Sequence, residues 1–375
     1  MRGPRPVRAV ALFTTPVFTT PVFTMALFTT AVFTLAVPFV WSGPAVASPP
    51  PSPTTSAPVA DRVVRDARIS EGSGLAVSLR HPGVLWTHND SGHPAQLFAV
   101  GADGRTVATV RVAGVPDTDW EAIAGYRDRD GRPMLAVGDI GDNAAARTSV
   151  SIVVLAEPDL RTATVRAERV IRLTYPGGAT NAEALLVDPD GRRAFVVSKG
   201  LGGTVYEVPP AVWTARSAAA RATLVSRAGV PLVFVTDGVM GPGGHPLLRT
   251  YGELALLPPI DDSVAGGSLQ PLATLRLPDQ KQGEGLALRD ARTVLVGSEG
   301  VGQPVWRVPL PVEFTAVLRT PTPAATPAPT PTPTGADAES GRSLPVFGGI
   351  AGALVGTLLV LIVRARRRAD PRDTP

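Results

Sequence analysis

The chain repeats one short phrase, as Glu121-Ala122-Ile123-Ala124, Glu183-Ala184-Leu185-Leu186 and Glu284-Gly285-Leu286-Ala287. A looser copy reads Glu71-Gly72-Ser73-Gly74-Leu75-Ala76, and a degenerate one reads Asp237-Gly238-Val239-Met240. Each copy is followed by a turn and then by a second apolar run. A repeat of roughly 45–60 residues built only from short strands is typical of a β-propeller.

The apolar runs between the turns predict five blades of an all-β fold, each with four strands. The unit that begins near Leu286 contains only three such runs. We expect residues 62–69 to supply its fourth, outer strand, because closure by an N-terminal strand removes the free edges of the ring. The same pattern places the last strand of blade three at 222–225 and the first strand of blade four at 232–236.

The two ends of the chain predict a protein anchored in a cell membrane. An apolar stretch with Ala45-Val46-Ala47 before Ser48 indicates a secretory signal. Residues 344–363 form a 20-residue uncharged run followed by a basic segment, which predicts a single-pass helix with a cytoplasmic tail. The predicted segments are a signal at 1–47, a Pro/Ser/Thr linker at 48–60, the propeller ectodomain at 61–315, a Pro/Thr-rich stalk at 316–343, the helix at 344–363 and the tail at 364–375.

Glycines at four-residue spacing in the predicted membrane helix, Gly348, Gly352 and Gly356, would allow weak pairing between two such helices. Glycine is also common in membrane helices that do not pair. The stalk and the ectodomain are expected outside the cell, where the partner would be a polar small molecule or a component of the cell envelope.

Composition excludes several classes of function. The chain has no cysteine, which rules out disulfides and thiolate metal sites. The sequence pI near 9.9 suggests nucleic-acid binding. The whole chain carries +4, however, and residues 1–47 and 364–375 carry +3 each, so residues 48–363 carry −2. The predicted domain therefore has no basic surface for a phosphate backbone, and no nucleic-acid partner is expected.

The repeat predicts where the polar residues meet. Strands one and two of a blade are antiparallel, so the start of the first and the end of the second lie at one end of the blade. Strand one is innermost in a propeller, and equivalent positions are related by the ring axis. The ligand-binding candidates at this channel mouth are Glu71, Asp90, Glu121, Glu183, Lys199, Asp237, Arg249, Glu284 and Glu299.

A compact oxygen cluster, Asp139, Asp142 and Asn143, is the candidate metal site, and Ca²⁺ is the ion that such hard ligands take. Two alternatives stay open. Asp-Asn turns occur without metal. An acid at a strand start can also accept backbone hydrogen bonds and join neighbouring blades, in which case it is structural.

Several motifs resemble those of a group of secreted or membrane-anchored actinobacterial propeller proteins that have no assigned reaction. That group is distantly similar to the "esterase-like activity of phytase" propellers. The resemblance covers roughly residues 65–311. It rests on segments that include Trp86-Thr87-His88-Asn89-Asp90, Asp119-Trp120-Glu121-Ala122, Gly138-Asp139-Ile140-Gly141-Asp142-Asn143 and Gln282-Gly283-Glu284-Gly285. It implies the propeller fold and names no chemistry.

Two classes of function follow from this sequence. The first is a cell-surface binding module that holds a polar or cationic ligand at the acidic mouth, with Ca²⁺ as a candidate cofactor. The second is an extracellular hydrolase, in which paired carboxylates act on a glycoside or a bound metal activates water on a phosphoester. No catalytic residue is assigned, because the serines lack a nucleophile elbow and His88 has no nucleophile partner in the sequence.

Overall fold

A computed structural model describes residues 56–115 and 119–319. Strands are numbered in chain order, and the blades are built from five separate sheets. Blade 1 contains β2 (Gly72–Val77), β3 (Leu85–Asn89), β4 (Gln96–Val100) and β5 (Thr106–Ala113). Blade 2 contains β6 (Trp120–Arg127), β7 (Pro133–Asp139), β8 (Val150–Ala156) and β10 (Arg169–Thr174). Blade 3 contains β11 (Ala182–Val187), β12 (Ala194–Ser198), β13 (Gly203–Glu207) and β15 (Val225–Val230).

Blade 4 contains β16 (Asp237–Met240), β17 (Pro246–Arg249), β18 (Glu253–Leu256) and β20 (Ala273–Arg276). Blade 5 contains β21 (Gly283–Asp290), β22 (Thr293–Ser298), β23 (Pro304–Pro309) and, as its outer strand, β1 (Val59–Val63). The inner strands contact one another in ring order, and β2 of blade 1 contacts β21 of blade 5. The all-β propeller of five blades is therefore confirmed.

The N-terminal strand closes the ring, although its position differs from the prediction. Val59–Val63 pairs antiparallel with β23, whereas 62–69 was expected. Arg62 ties this strand to blade 1, because its guanidinium donates to the carbonyls of Gly83, Val100 and Gly101. Gly104 lies directly over Val63 at a positive φ, where a Cβ would collide with the carbonyl of Val63. Closure therefore depends on this close approach of blade 5 to blade 1.

Two other strand assignments were wrong. The last antiparallel strand of blade 3 is Val225–Val230 rather than 222–225, and blade 4 begins at Asp237 rather than at 232. Residues 231–236 connect these strands. The connection carries apolar residues such as Leu232 and Val235, which pack into the core between blades 3 and 4 without joining a sheet. Apolar composition alone could not separate such a segment from a strand.

Three short parallel strands extend blades 1 to 3 outward: β9 (Ala163–Arg166), β14 (Ala219–Thr223) and β19 (Gly267–Ser268). Each lies between the third and fourth strands of one blade and pairs with the outer strand of the blade before it. After the third strand of blade 5, helix α2 (Val312–Arg319) packs Phe314 and Leu318 into the core between blades 4 and 5. A shorter helix, α1 (Pro210–Trp213), follows β13. Blades 1, 2 and 3 are thus each clasped by a strand from the next blade.

Burial explains the composition of the strands. Inner strands lie between two neighbouring blades and are buried on both faces, as in Ala182–Val187, where every residue is buried. Outer strands are half-exposed and alternate, as in Ala273–Arg276. Trp86 and Trp120 fill the core between blades 1 and 2. No helix within residues 56–115 and 119–319 is long and apolar enough to cross a membrane. The predicted signal, membrane helix and tail lie outside the described residues.

Candidate functional site: an acidic channel mouth

Three of the repeated glutamates lie in β-bulges. In blades 2, 3 and 5 the pairing of strands one and two skips one residue, and the skipped residues are Glu121, Glu183 and Glu284. A bulge inserts one residue into the ladder and changes the direction in which its side chain points. The same local distortion therefore recurs at the same place in three blades. It sets these carboxylates apart from the regular alternation of the strand.

The bulged glutamates approach one another at the centre of the ring. All three are almost fully buried. Burial first, and then the negative charges of Glu183, Asp90, Asp119 and Glu284, raise the pKa of Glu121 to about 10. Charges from two other blades, those of Glu183 and Glu284, thus act on Glu121.

The tightest group of acids consists of Asp90, Asp119 and Glu121. Each offers an oxygen, and these oxygens lie within 4.8 Å of one another. Burial, followed by a hydrogen bond and charge repulsion from Asp90, raises the pKa of Asp119 to about 7. Gly141 allows this approach, because a Cβ at that position would lie 2.5 Å from the carboxyl carbon of Asp119. The glycine in the Gly-Asp-Ile-Gly-Asp-Asn motif therefore makes room for two carboxyl groups.

Asp119 was not among the predicted site residues. It lies two positions before Glu121 and outside any strand. Its backbone N–H donates to the Oδ1 of Asp139, which fixes its position at the mouth. The only sequence signal was its presence in the Asp-Trp-Glu-Ala motif, next to a predicted ligand.

On the blade 3 side, Glu183 pairs with Lys199. The Nζ atom of Lys199 lies 2.6 Å from the Oε1 of Glu183 and 5.1 Å from the ring centroid of Tyr251. The other oxygen of Glu183, Oε2, is buried and has no hydrogen-bond partner among residues 56–115 and 119–319. Burial raises the pKa of Glu183 to about 7 although Lys199 opposes the shift. One lysine thus satisfies half of this carboxylate.

Blade 5 contributes a pair of carboxyl groups, Glu284 and Glu299. Burial, followed by a hydrogen bond to Glu284, raises the pKa of Glu299 to about 9. The side-chain amide of Gln282 donates to the Oε1 of Glu284 over 3.1 Å. Two carboxyl groups in hydrogen-bonding contact, such as Glu284 and Glu299, share a proton unless a cation replaces it.

Glu71 lies at the exposed rim, where its carboxylate is 2.7 Å from the Nε2 of His93.

Asp237 and Arg249 are braces between blades 4 and 5. The carboxylate of Asp237 accepts the N–H groups of Gly238 and Leu286, over 2.7 Å and 2.6 Å. The guanidinium of Arg249 is fully buried and donates to the carbonyls of Gly285 and Gly297. It also donates to the side-chain oxygen of Gln280 over 3.0 Å. Asp237 therefore joins neighbouring blades, which is the structural alternative given above for an acid at a strand start. Arg249 has the same structural role.

The predicted metal ligands Asp139, Asp142 and Asn143 already have protein donors. Asp139 accepts hydrogen bonds from Arg147 and Ser151 over 2.8 Å and 2.9 Å. The two oxygens of Asp142 accept the N–H groups of residues 146 and 147, each over 2.9 Å. The side-chain oxygen of Asn143 accepts the amide of Asn181 over 3.0 Å. These residues form the loop that supports Asp119. The carboxylate oxygens without a hydrogen-bond donor lie on other acids of the mouth, such as Glu183.

His88 lies beside the mouth and does not join it. Its ring is fully buried and packs edge-on against Trp120, with 5.6 Å between the ring centroids. The Nδ1 atom contacts the carbonyl of Asn89 over 3.0 Å, and burial lowers the pKa of His88 to about 4. A neutral, packed imidazole of this kind fits a structural role between blades 1 and 2.

The loops around the mouth expose apolar side chains. They are Leu201, Val233, Phe234, Tyr251 and Val301. Leu201 is 82% exposed, and Phe234 has a positive φ of 56° that is rare for an aromatic residue. The N–H of Phe234 donates to the carbonyl of Gly200, which holds this conformation beside the Lys199 loop. The rim on the side of blades 3 and 4 is therefore apolar, while the channel inside it is acidic.

We use "acidic mouth" for six residues: Asp90, Asp119, Glu121, Glu183, Glu284 and Glu299. Within residues 56–115 and 119–319, Lys199 is the only basic side chain that forms an ion pair with any of them. Arg147 and Arg249, the nearest arginines, are engaged with Asp139 and with backbone carbonyls. The group thus has a single basic ion-pair partner in the described part of the chain, and carboxylate oxygens are the preferred ligands of Ca²⁺.

Comparison with known proteins shows no family for this chain. No family model and no curated protein matches the chain. Many solved chains match by structure. One belongs to a structure titled "Crystal Structure of Mitotic Checkpoint Complex", with a TM-score of 0.34 and 13% identity, covering 63% of this chain and 61% of the other. That likeness carries no argument about the site, and the resemblance to the actinobacterial propellers stays a prediction.

Proposed function

We propose that this protein is a binding module that holds a cation, Ca²⁺ by preference, at the acidic mouth and presents it to a polar ligand outside the cell. The observation that carries the proposal is the convergence of Asp90, Asp119 and Glu121, whose oxygens lie within 4.8 Å of one another. Ca²⁺ takes six to eight oxygen ligands at about 2.3–2.6 Å, so three converging carboxylates are a natural core for such a site.

A second observation supports a cation over a purely structural cluster. The buried Oε2 of Glu183 has no donor in the described part of the chain, while Oε1 pairs with Lys199. A buried carboxylate oxygen without a partner is unfavourable by about 1–3 kcal/mol or more. Asp237, by contrast, shows how this fold satisfies an acid that is only structural.

The extracellular setting of the proposal comes from the predicted signal and membrane helix, and Ca²⁺ is abundant outside cells at concentrations that suit weak sites of this kind. The ligand would contact the bound cation from the open side of the mouth. The apolar rim around Leu201 and Phe234 would contact its apolar part. A binding role uses both features of this face.

A hydrolase is the second candidate, and one observation favours it. Asp119 and Glu183 have pKa values raised to about 7, so each can hold or release a proton at neutral pH. General acid catalysis needs such a group next to an ionised carboxylate. A glycosidase or a metal-dependent phosphoesterase would use the same residues.

The test is thermal unfolding of the purified full-length protein with EDTA, CaCl₂ or MgCl₂. A cation that binds the folded state alone stabilises it by about 2.7 kcal/mol when present at 100 times its dissociation constant. We expect CaCl₂ to raise the melting temperature of the native protein. We expect Glu121→Gln to remove most of that rise, because the amide keeps the shape and loses the charge.

The matched control is Glu313→Gln, which removes an exposed carboxylate on α2, far from the mouth. It should keep the full response to CaCl₂. No stabilisation by either cation, or an equal response in Glu121→Gln, would refute the proposal. Release of phosphate from a phosphomonoester or of a sugar from an aryl glycoside, abolished by Asp119→Asn, would instead favour the hydrolase.

A further inference from the structure

A second cavity opens on the face of the propeller opposite the acidic mouth, between blades 2 and 3. Its volume is about 220 Å³. It lies at the far end of β6, near the β6–β7 turn and α1. We call it the arginine pocket, after the residues that give it its character: Tyr126, Arg129, Arg132, Arg169, Trp213 and Arg216.

Arg169 is the central cation of the arginine pocket. Its guanidinium carbon lies 5.7 Å from the ring centroid of Trp213, and its Nη2 donates to the carbonyl of Val212 over 2.9 Å. Its Nε is buried and has no acceptor within residues 56–115 and 119–319. Burial lowers the pKa of Arg169, and no carboxylate counteracts that effect. A half-buried guanidinium without an anion is a poor arrangement for folding alone.

The acids that line the pocket form ion pairs with two of its arginines, Arg132 and Arg216. Arg132 pairs with Asp128 and Glu168, over 3.2 Å and 2.7 Å. Arg216 pairs with Asp130 over 3.0 Å. Among the described residues this leaves Arg129 and Arg169 without a carboxylate partner. The pocket therefore has two unpaired cations beside three neutralised acids.

Two buried aromatic side chains support the pocket from below. Tyr126 and Trp213 are 4% and 1% exposed, and their ring centroids lie 5.7 Å apart. The indole N–H of Trp213 donates to the carbonyl of Gly191, which holds the ring in place. The two rings therefore form a packed base under Arg169 and leave the cations at the surface of the pocket.

We propose that the arginine pocket binds a small monocarboxylate, whose carboxylate pairs with Arg169 and Arg129. A singly charged ligand fits better than a phosphate dianion, because the four arginines and three acids that line the pocket (4 − 3) leave it a net charge of +1. Planar carboxylates match the hydrogen-bonding geometry of a guanidinium. The site is independent of the acidic mouth.

The experiment is isothermal titration of the full-length protein with benzoate, acetate and inorganic phosphate as probes. We expect benzoate and acetate to bind at millimolar or lower concentration, and phosphate more weakly than either. Arg169→Gln should weaken benzoate at least about tenfold, because a charged hydrogen bond is lost. Arg129→Gln, at an exposed position, should weaken it by a smaller factor and cannot disturb packing.

Arg172→Gln is the matched control, since Arg172 lies on the same strand but is exposed and outside the pocket. It should bind benzoate like the native protein. So should Glu121→Gln, which separates this site from the mouth. Absence of benzoate binding, equal binding by Arg169→Gln and Arg129→Gln, or tighter binding of phosphate than of benzoate would each overturn the proposal.

Discussion

Blades 2 and 4 place an acid at the same point of the repeat, and the two acids do different things. Glu121 of blade 2 is skipped by the strand pairing, and the hydroxyl of Ser73 comes no closer than 3.4 Å to its Oε2. Asp237 of blade 4 is paired in regular register with Arg249 and accepts two backbone N–H groups. The position in the repeat is shared, and the bulge is not.

The difference shows what the bulge contributes. Without it, a shorter acid remains in the ladder, reaches the N–H of Leu286 in the next blade and becomes an interblade brace. With it, a longer acid leaves the ladder and meets the acids of other blades. A repeat position thus specifies a place in the ring, while local register decides whether the acid becomes an interblade brace or leaves the ladder.

The largest loss of stability is expected when the brace between blades 4 and 5 loses Arg249. Arg249→Gln removes the guanidinium that joins blade 4 to the carbonyls of Gly285 and Gly297. We expect unfolding in urea to show a loss of about 3–5 kcal/mol, because buried partners lose a charged donor. The loss should be the same with EDTA and with CaCl₂. Arg276→Gln, an exposed change on the same blade, should alter stability by less than about 0.5 kcal/mol.

A smaller loss is expected for the acid of the same brace. Asp237→Asn keeps the shape but directs an N–H₂ group at one of two backbone donors, Gly238 or Leu286. The expected loss of stability is about 1–3 kcal/mol. Denaturant titration in the presence and absence of CaCl₂ should give the same value. A loss that appears only with calcium would place Asp237 in the cation site and erase the contrast with Glu121.

The bulged acid should respond to pH instead. Its pKa is about 10 in the folded chain against an ordinary value of 4.5, so over this range the folded state holds a proton that the unfolded state releases. Stability without metal should therefore fall as pH rises, by about 1 kcal/mol between pH 6 and pH 7 from Glu121 alone. Melting curves in EDTA test this. Glu121→Gln should flatten the dependence, and an unchanged slope in that variant would contradict the assignment.

The smallest effect concerns the support of the bulge. Ser73 donates to the backbone carbonyl of Glu121 over 2.9 Å. Ser73→Ala should reduce stability by about 0.5–1.5 kcal/mol, the net value of one hydrogen bond. It should also reduce the calcium-dependent rise in melting temperature, since the bulge then holds the carboxylate less firmly. A full calcium response in this variant would show that the bulge needs no support from blade 1.

The sequence was sufficient for the ring and for its symmetry. Five copies of one phrase predicted five blades, and the three-stranded last unit predicted closure by the N-terminal segment. The exact strands were harder, because residues 231–236 are apolar but pack as a connection. The added strands such as Gly267–Ser268 are too short to show a period, and their partners are in another blade.

The sequence likewise predicted one part of the candidate site and not the other. Ring symmetry predicted that Glu121, Glu183 and Glu284 would approach one point. In the structure each is buried in a bulge at the same place of its blade, and the charges of Glu183 and Glu284 raise the pKa of Glu121. The sequence did not show that the oxygens of Asp139 and Asp142 would be taken by donors from residues 146–151. Nor did it show the bulges, because a skipped residue leaves no mark in composition. Which acid braces and which stays open depends on hydrogen bonds that only the folded backbone defines.

The clasp between blades has a consequence for how the chain is made. The segment that covers the outer edge of blades 1, 2 and 3 belongs in each case to the next blade. A chain that emerges from its N-terminus therefore always carries one open sheet edge at its newest blade, and an open edge invites aggregation. The strand Val59–Val63 is synthesised before the other strands, and its partner β23 is synthesised after them. A chain that stops within blades 1 to 3 would therefore leave the outer edge of its last blade without its covering strand.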